Sequence, residues 1–116
     1  MEHPNEICQE DHAAVTLLNI KGDITAFSES FLNDAYHKAT QAGRDRLVLQ
    51  FEPTAYINSG GIAILIQLLA RSRKKDQRIG ITGLSDHFKK IFKMVGITKF
   101  AAIYQNPEEA LQAMNK

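Results

Sequence analysis

The spacing of apolar residues changes repeatedly along the chain, and each change marks an expected element. Ile7 to Gln9 and Val15 to Ile20 carry strand-like residues on either side of Glu10-Asp11-His12. That polar triplet predicts a turn, so the chain is expected to open with a β-hairpin. Lys21-Gly22-Asp23 ends the second strand, and Thr25 or Ser28 is placed to cap the next helix by accepting from its unpaired first amides. Phe27, Phe31, Leu32, Ala35 and Ala39 then form one apolar stripe on a helix that Gly43 can end.

Leu47-Val48-Leu49 with Phe51 is a short, almost continuous apolar run, the pattern of a central strand covered on both faces. Beyond Pro53 and Tyr56-Ile57-Asn58 lies a strongly apolar segment whose composition and length predict a helix. Arg71, Arg73, Lys74 and Lys75 crowd its end, where cations complement the negative pole of a helix and read as a solvated terminus. Arg78 to Ile81 predicts a strand, Leu84 to Val95 an amphipathic helix, and Phe100 to Tyr104 a last strand. Pro107, followed by Glu108-Glu109, opens a terminal helix. This alternation predicts an α/β fold over 1–116: one domain, with a mixed, mostly parallel sheet flanked by about four helices.

At 116 residues, 44% of them hydrophobic and 23% charged, the chain is sized and composed for one core. A formal net charge of +1 supplies no global field for nucleic acid or anionic membrane, so partners must be recognised locally. Cys8 is the only cysteine, which excludes an internal disulfide and reads as a small hydrophobe in a strand. The opening residues, with Glu2, His3, Glu6 and Glu10, lack the basic and apolar stretches of a secretory signal, so a cytoplasmic location is expected. Ile62 to Ala70, interrupted by Gln67, falls short of the ~20 residues that cross a bilayer, so no membrane insertion is expected.

The chemical search excludes more than it finds. No phosphate loop, zinc helix, calcium loop or dinucleotide fingerprint occurs, and His3, His12, His37 and His87 are too scattered to require a common metal. No cofactor is expected. Ser59 lacks the Gly-x-Ser-x-Gly elbow and any legible base, and Asp23 and Glu52 read as turn or cap residues rather than a catalytic pair. The chain reads as non-enzymatic.

The informative feature is the exit from the central strand, where Asn58-Ser59-Gly60-Gly61 turns into a helix at the carboxyl edge of the sheet. Asn58 or Ser59 can cap that helix, and paired glycines let another chain approach its amides closely. A phosphate on Ser59 would place about two negative charges beside the positive helix end while repelling a partner.

Two segments resemble the sulfate-transporter and anti-sigma-factor-antagonist, or STAS, domain over nearly the whole chain. Lys21-Gly22-Asp23-Ile24 is similar to that family's glycine-acid turn, and Tyr56-Ile57-Asn58-Ser59-Gly60-Gly61-Ile62 to its Asp-Ser-Ser-Gly-Leu motif. The resemblance implies an anti-sigma factor antagonist that binds an anti-sigma factor with serine-kinase activity through Asp23, Ile24, Asn58, Ser59, Gly60 and Gly61. Kinase phosphorylation would weaken binding and a serine phosphatase would restore it. In this chain Asn58 replaces the motif aspartate and Gly60 occupies the phosphoacceptor position. Gly60 has no hydroxyl, which leaves Ser59 as the neighbouring site for a phosphate. The same resemblance also admits a ligand- or nucleotide-sensing module or an accessory subunit of a membrane transport complex. It leaves homo-oligomerisation open.

Overall fold

A computed structural model of the protein describes residues 5–116; Glu2 and His3 lie outside them. β1 (Glu6–His12) and β2 (Val15–Lys21) form the opening antiparallel hairpin. A single 3-10 turn (Ala26–Ser28) leads into α1 (Glu29–Gln41), followed by β3 (Arg46–Phe51), α2 (Ser59–Lys74), β4 (Arg78–Thr82) and α3 (Asp86–Met94). A second 3-10 turn (Ile97–Lys99), β5 (Ala102–Ile103) and α4 (Pro107–Met114) complete the order. The five strands lie in the sheet in sequence order, with every pairing after the hairpin parallel.

That order follows from the burial pattern. β3 is the central strand: Leu47, Leu49 and Phe51 enter the large core shared with α1, α2 and α3, while Val48 faces the smaller cluster under α4 with Val15, Leu17, Ala110 and Met114. A strand buried on both faces needs apolar side chains at successive positions, which is why its sequence does not alternate. Along α2, Ile64, Leu65, Leu68, Leu69 and Ser72 are buried, a three-and-four spacing that lays one face on the sheet.

Three expectations are corrected. Glu10-Asp11-His12 is not the turn but the end of β1; the chain reverses at Ala13-Ala14, with Ala13 at φ 56°. β1 is an edge strand exposed along almost its whole length, so acids are tolerated there and also discourage edge-to-edge pairing. Cys8 lies in β1 as expected but is exposed rather than packed. In the first helix region Leu32 and Ala39 are buried, whereas Phe27 and Phe31 are exposed. Tyr36, absent from that stripe, is buried instead, its hydroxyl donating to Gln77.

Two elements are shorter than their apolar patterns. Ser85 accepts from the Phe88 amide and starts α3 at Asp86, so Leu84 lies before the helix. Gly96, at φ 84°, lets the chain turn out of α3, and the following 3-10 turn takes Ile97 into the core, leaving only Ala102–Ile103 to pair as β5.

One titrating group braces the hairpin. Asp11 Oδ1 accepts from Thr16 Oγ1 at 2.8 Å and from Gln9 Nε2 at 3.3 Å, with Arg44 Nε at 3.7 Å. The Thr16 hydrogen bond is the main cause holding the Asp11 carboxyl below its usual range, with Gln9, Arg44 and His12 adding to it. A depressed folded pKa means that the contribution is present above the unfolded carboxylate value of about 3.9 and is lost as pH falls through the folded one. Thr16→Val is therefore expected to raise the Asp11 pKa toward ordinary values in a carboxyl NMR titration; an unchanged titration would remove Thr16 as the cause.

Candidate functional site

The Asp23 turn and the strand-to-helix turn at Asn58, separated by more than thirty residues, are joined into one surface. Ile24 forms a parallel bridge with Ile57. The Ile24 amide donates to the Tyr56 carbonyl at 2.9 Å, and the Asn58 amide to the Ile24 carbonyl at 3.1 Å. Two carboxylates complete a reciprocal latch: Asp23 Oδ1 accepts from the Tyr56 amide at 2.8 Å, and Glu52 Oε1 from the Gly22 amide at 2.8 Å. From below, Asn5 Nδ2 donates to the carbonyls of Lys21 and Asp23 at 2.8 and 3.0 Å. Both acids thus hold turn backbone rather than facing each other as an acid–base pair.

Asn58 begins α2. Its backbone is extended and its Oδ1 accepts from the Gly61 amide at 2.9 Å, satisfying one of the helix's unpaired donors. An aspartate could make the same bond, so asparagine keeps the cap while removing the charge. Ser59 is the first residue of α2, exposed, with the other early amides of the helix around it.

The two glycines stand in different surroundings. A Cβ on Gly61 would lie 2.2 Å from the Ile24 carbonyl oxygen, inside any tolerable contact, so the start of α2 rests directly on the backbone of the Asp23 turn. A Cβ on Gly60 would meet Ala26 N and Cβ at 3.3 Å and Asn58 Oδ1 at 3.4 Å, a tight but accommodating space. Gly61 is closed to side chains and Gly60 is not.

Six residues were expected to form a binding surface, and the structure brings all six together but does not expose them equally. Ile24 is fully buried and Gly61 is buried, so both act as framework. Asp23 and Ser59 are exposed, and Asn58 and Gly60 are partly so. Two aromatic residues not anticipated as surface flank them: Phe27 is 66% exposed and Tyr56 61% exposed. Phe27 is held out by the capping box in which Thr25 Oγ1 accepts from the Phe27 amide and Ser28 Oγ from the Thr25 amide. Tyr56 is held by an edge-on contact with Phe88, ring centres 5.8 Å apart. Exposed aromatics held in fixed positions beside a turn are the side chains from which interface hot spots are commonly built.

The fold is matched elsewhere. A family model described as "Mlab, STAS domain" matches residues 8–105. The chain belongs to the STAS family. Among solved structures it is similar to an anti-sigma factor antagonist from Mycobacterium paratuberculosis, at 19% identity and TM-score 0.79, covering 97% of this chain and 95% of that one. It is similar also to a putative anti-sigma factor antagonist from Thermotoga maritima, at 10% identity and TM-score 0.81, covering 95% of each. The Bacillus cell fate determinant SpoIIAA in its phosphorylated form matches at 13% identity and TM-score 0.64, over 93% of this chain and 98% of that one. No curated protein matches significantly. At these identities the solved structures establish the STAS fold, with its hairpin, mixed sheet and four helices. Among the described residues, no helix of this STAS chain is long and apolar enough to cross a membrane.

Proposed function

We propose that this STAS protein is a non-enzymatic, cytoplasmic signalling protein of the anti-sigma factor antagonist type, which binds an anti-sigma factor with serine-kinase activity and so regulates sigma-factor-dependent transcription. The observation that carries this reading is the latched pair of turns, which presents Asp23, Phe27, Tyr56, Ser59 and Gly60 on one rigid surface at the carboxyl edge of the sheet. A surface already ordered before contact loses little conformational entropy on binding. The Asp23 and Glu52 carboxylates are each engaged by a backbone amide, of Tyr56 and of Gly22, and this favours a binding surface over an active site.

Control by phosphate rests on Ser59. Its exposed place at the start of α2 gives a phosphate a favourable position by the positive helix end, where it would set about two negative charges in the middle of the docking surface. A serine phosphatase would return the binding form. Gly60 cannot be modified, so in the absence of Ser59 phosphorylation the antagonist stays in its binding state.

Affinity capture of the full chain from its own cells, followed by mass spectrometry, is expected to recover an anti-sigma factor kinase; recovery of none counts against the reading. With that kinase and ATP, intact-mass analysis is expected to find one phosphate on the wild type and none on Ser59→Ala. Phosphate retained by Ser59→Ala would move the modification elsewhere and leave the binding reading standing.

A further inference from the structure

Charge is distributed unevenly in this nearly neutral chain. Residues 71–99 hold nine lysines and arginines against two acids, whereas residues 1–70 hold four against nine. The fold gathers part of this excess at one pole. α2 and α3 both start at the carboxyl edge of the sheet and run back, so their ends converge at the opposite edge. There Arg73 donates from Nη1 to the Lys99 carbonyl at 3.1 Å and lies 5.7 Å from the centre of the Phe100 ring. Arg78 lines the same surface recess as Lys99. Lys93 and Lys99 belong to one tight turn, in which the Gly96 amide bonds to Lys93 and the Lys99 amide to Gly96.

None of these four cations is neutralised by an ion pair among the described residues; the pairs there are His12–Glu10, Arg44–Asp11 and Lys89–Asp86. The nearest acid in sequence is Asp76, exposed in the α2–β4 turn. From the same tight turn project two apolar side chains, Met94 at 83% and Val95 at 45% exposure. α2 spans 16 residues, which at about 1.5 Å per residue puts this pole roughly 24 Å from the Asn58 turn.

We propose that this pole, formed by Arg73, Arg78, Lys93 and Lys99 around Met94 and Val95, is a peripheral docking surface for an anionic lipid membrane. Charge complementarity and the protruding apolar tip select the occupant. Unpaired cations on long side chains reach headgroup phosphates, while Met94 and Val95 enter the boundary between headgroups and acyl chains. A nucleic acid would leave that tip in water and find no exposed aromatic platform on which bases could stack. The inference does not depend on the function proposed for the opposite edge, and a protein held this way would still present that edge to a partner.

The test is sedimentation of the full chain with vesicles of phosphatidylcholine alone, or with about a third phosphatidylserine, at roughly 0.05 and 0.5 M salt. Binding is expected only to the anionic vesicles and mainly at low salt. Charge reversal of two exposed cations, Lys93→Glu with Lys99→Glu, is expected to weaken it by at least about tenfold, and Met94→Ser to weaken it with no change in net charge. Melting temperatures of the variants check that the fold is kept. No association with anionic vesicles, equal binding to phosphatidylcholine, indifference to the double charge reversal, or retention on double-stranded DNA or polyglutamate with none on vesicles would each overturn the proposal.

Discussion

Gly61→Ala is expected to lower stability by about 2–3 kcal/mol, near the top of the range for overpacking, and to reduce Tm by roughly 10 °C. Alanine improves helix propensity by up to ~1 kcal/mol, so a purely local account predicts stabilisation. The opposite sign is expected because the new methyl would lie 2.2 Å from the Ile24 carbonyl oxygen, and that obstacle is backbone, unable to rotate away. Relief requires α2 to lift from the Asp23 turn, which stretches the Asn58–Ile24 hydrogen bond and the Ile24–Ile57 bridge together. Gly60→Ala is the internal control, expected within about 0.5 kcal/mol of wild type because Ala26 need yield only a few tenths of an ångström. Thermal unfolding of both variants decides the matter; equal melting temperatures would show that the close approach at Gly61 does not constrain the fold.

Gly60→Glu addresses binding rather than folding. A glutamate in the first turn of α2 favours the helix by a few tenths of a kcal/mol through its charge, so the fold is expected to survive with an unaltered circular dichroism spectrum. In the proposed docking surface the same side chain adds bulk and a carboxylate that a partner must desolvate or avoid. Affinity for a captured anti-sigma kinase is expected to fall on the order of 100-fold in calorimetry. Undiminished binding would place the partner's contact elsewhere on the molecule, whatever the fold.

The alternation of helices and strands was legible because each covered element imposes its own period, and β3, buried on both faces, imposes none. The failures have the same origin. β1 lies at the sheet edge and is wet on most positions, so its polar residues looked like a turn although they pair in register with Thr16, Leu17 and Val15. Phe27 fell in phase with the stripe of α1, yet it sits in a 3-10 turn whose different pitch rotates it outward. Tyr36 is not legible as core because a polar-tipped residue can bury its ring once its hydroxyl finds a partner, here Gln77, 41 positions along the chain.

At the site, the position of the strand-to-helix turn, the cap at Asn58 and the absence of a hydroxyl at Gly60 could all be read locally. What could not be read was the latch. The bonds from Asp23 to Tyr56 and from Gly22 to Glu52 each join residues about thirty positions apart, and no periodicity encodes them. Nor does a glycine pair reveal which member is required, since that depends on a carbonyl oxygen supplied by another loop.

The contrast between adjacent glycines bears on how such a surface changes over generations. At Gly61 the framework admits no side chain, whereas at Gly60, one residue away, a Cβ meets tight contacts that a shift of a few tenths of an ångström would relieve. The folding constraint on a side chain is therefore far weaker at Gly60 and on the exposed Ser59 than at Gly61. A lineage can acquire, lose or replace a chemical switch at this turn without first having to rebuild the scaffold that displays it.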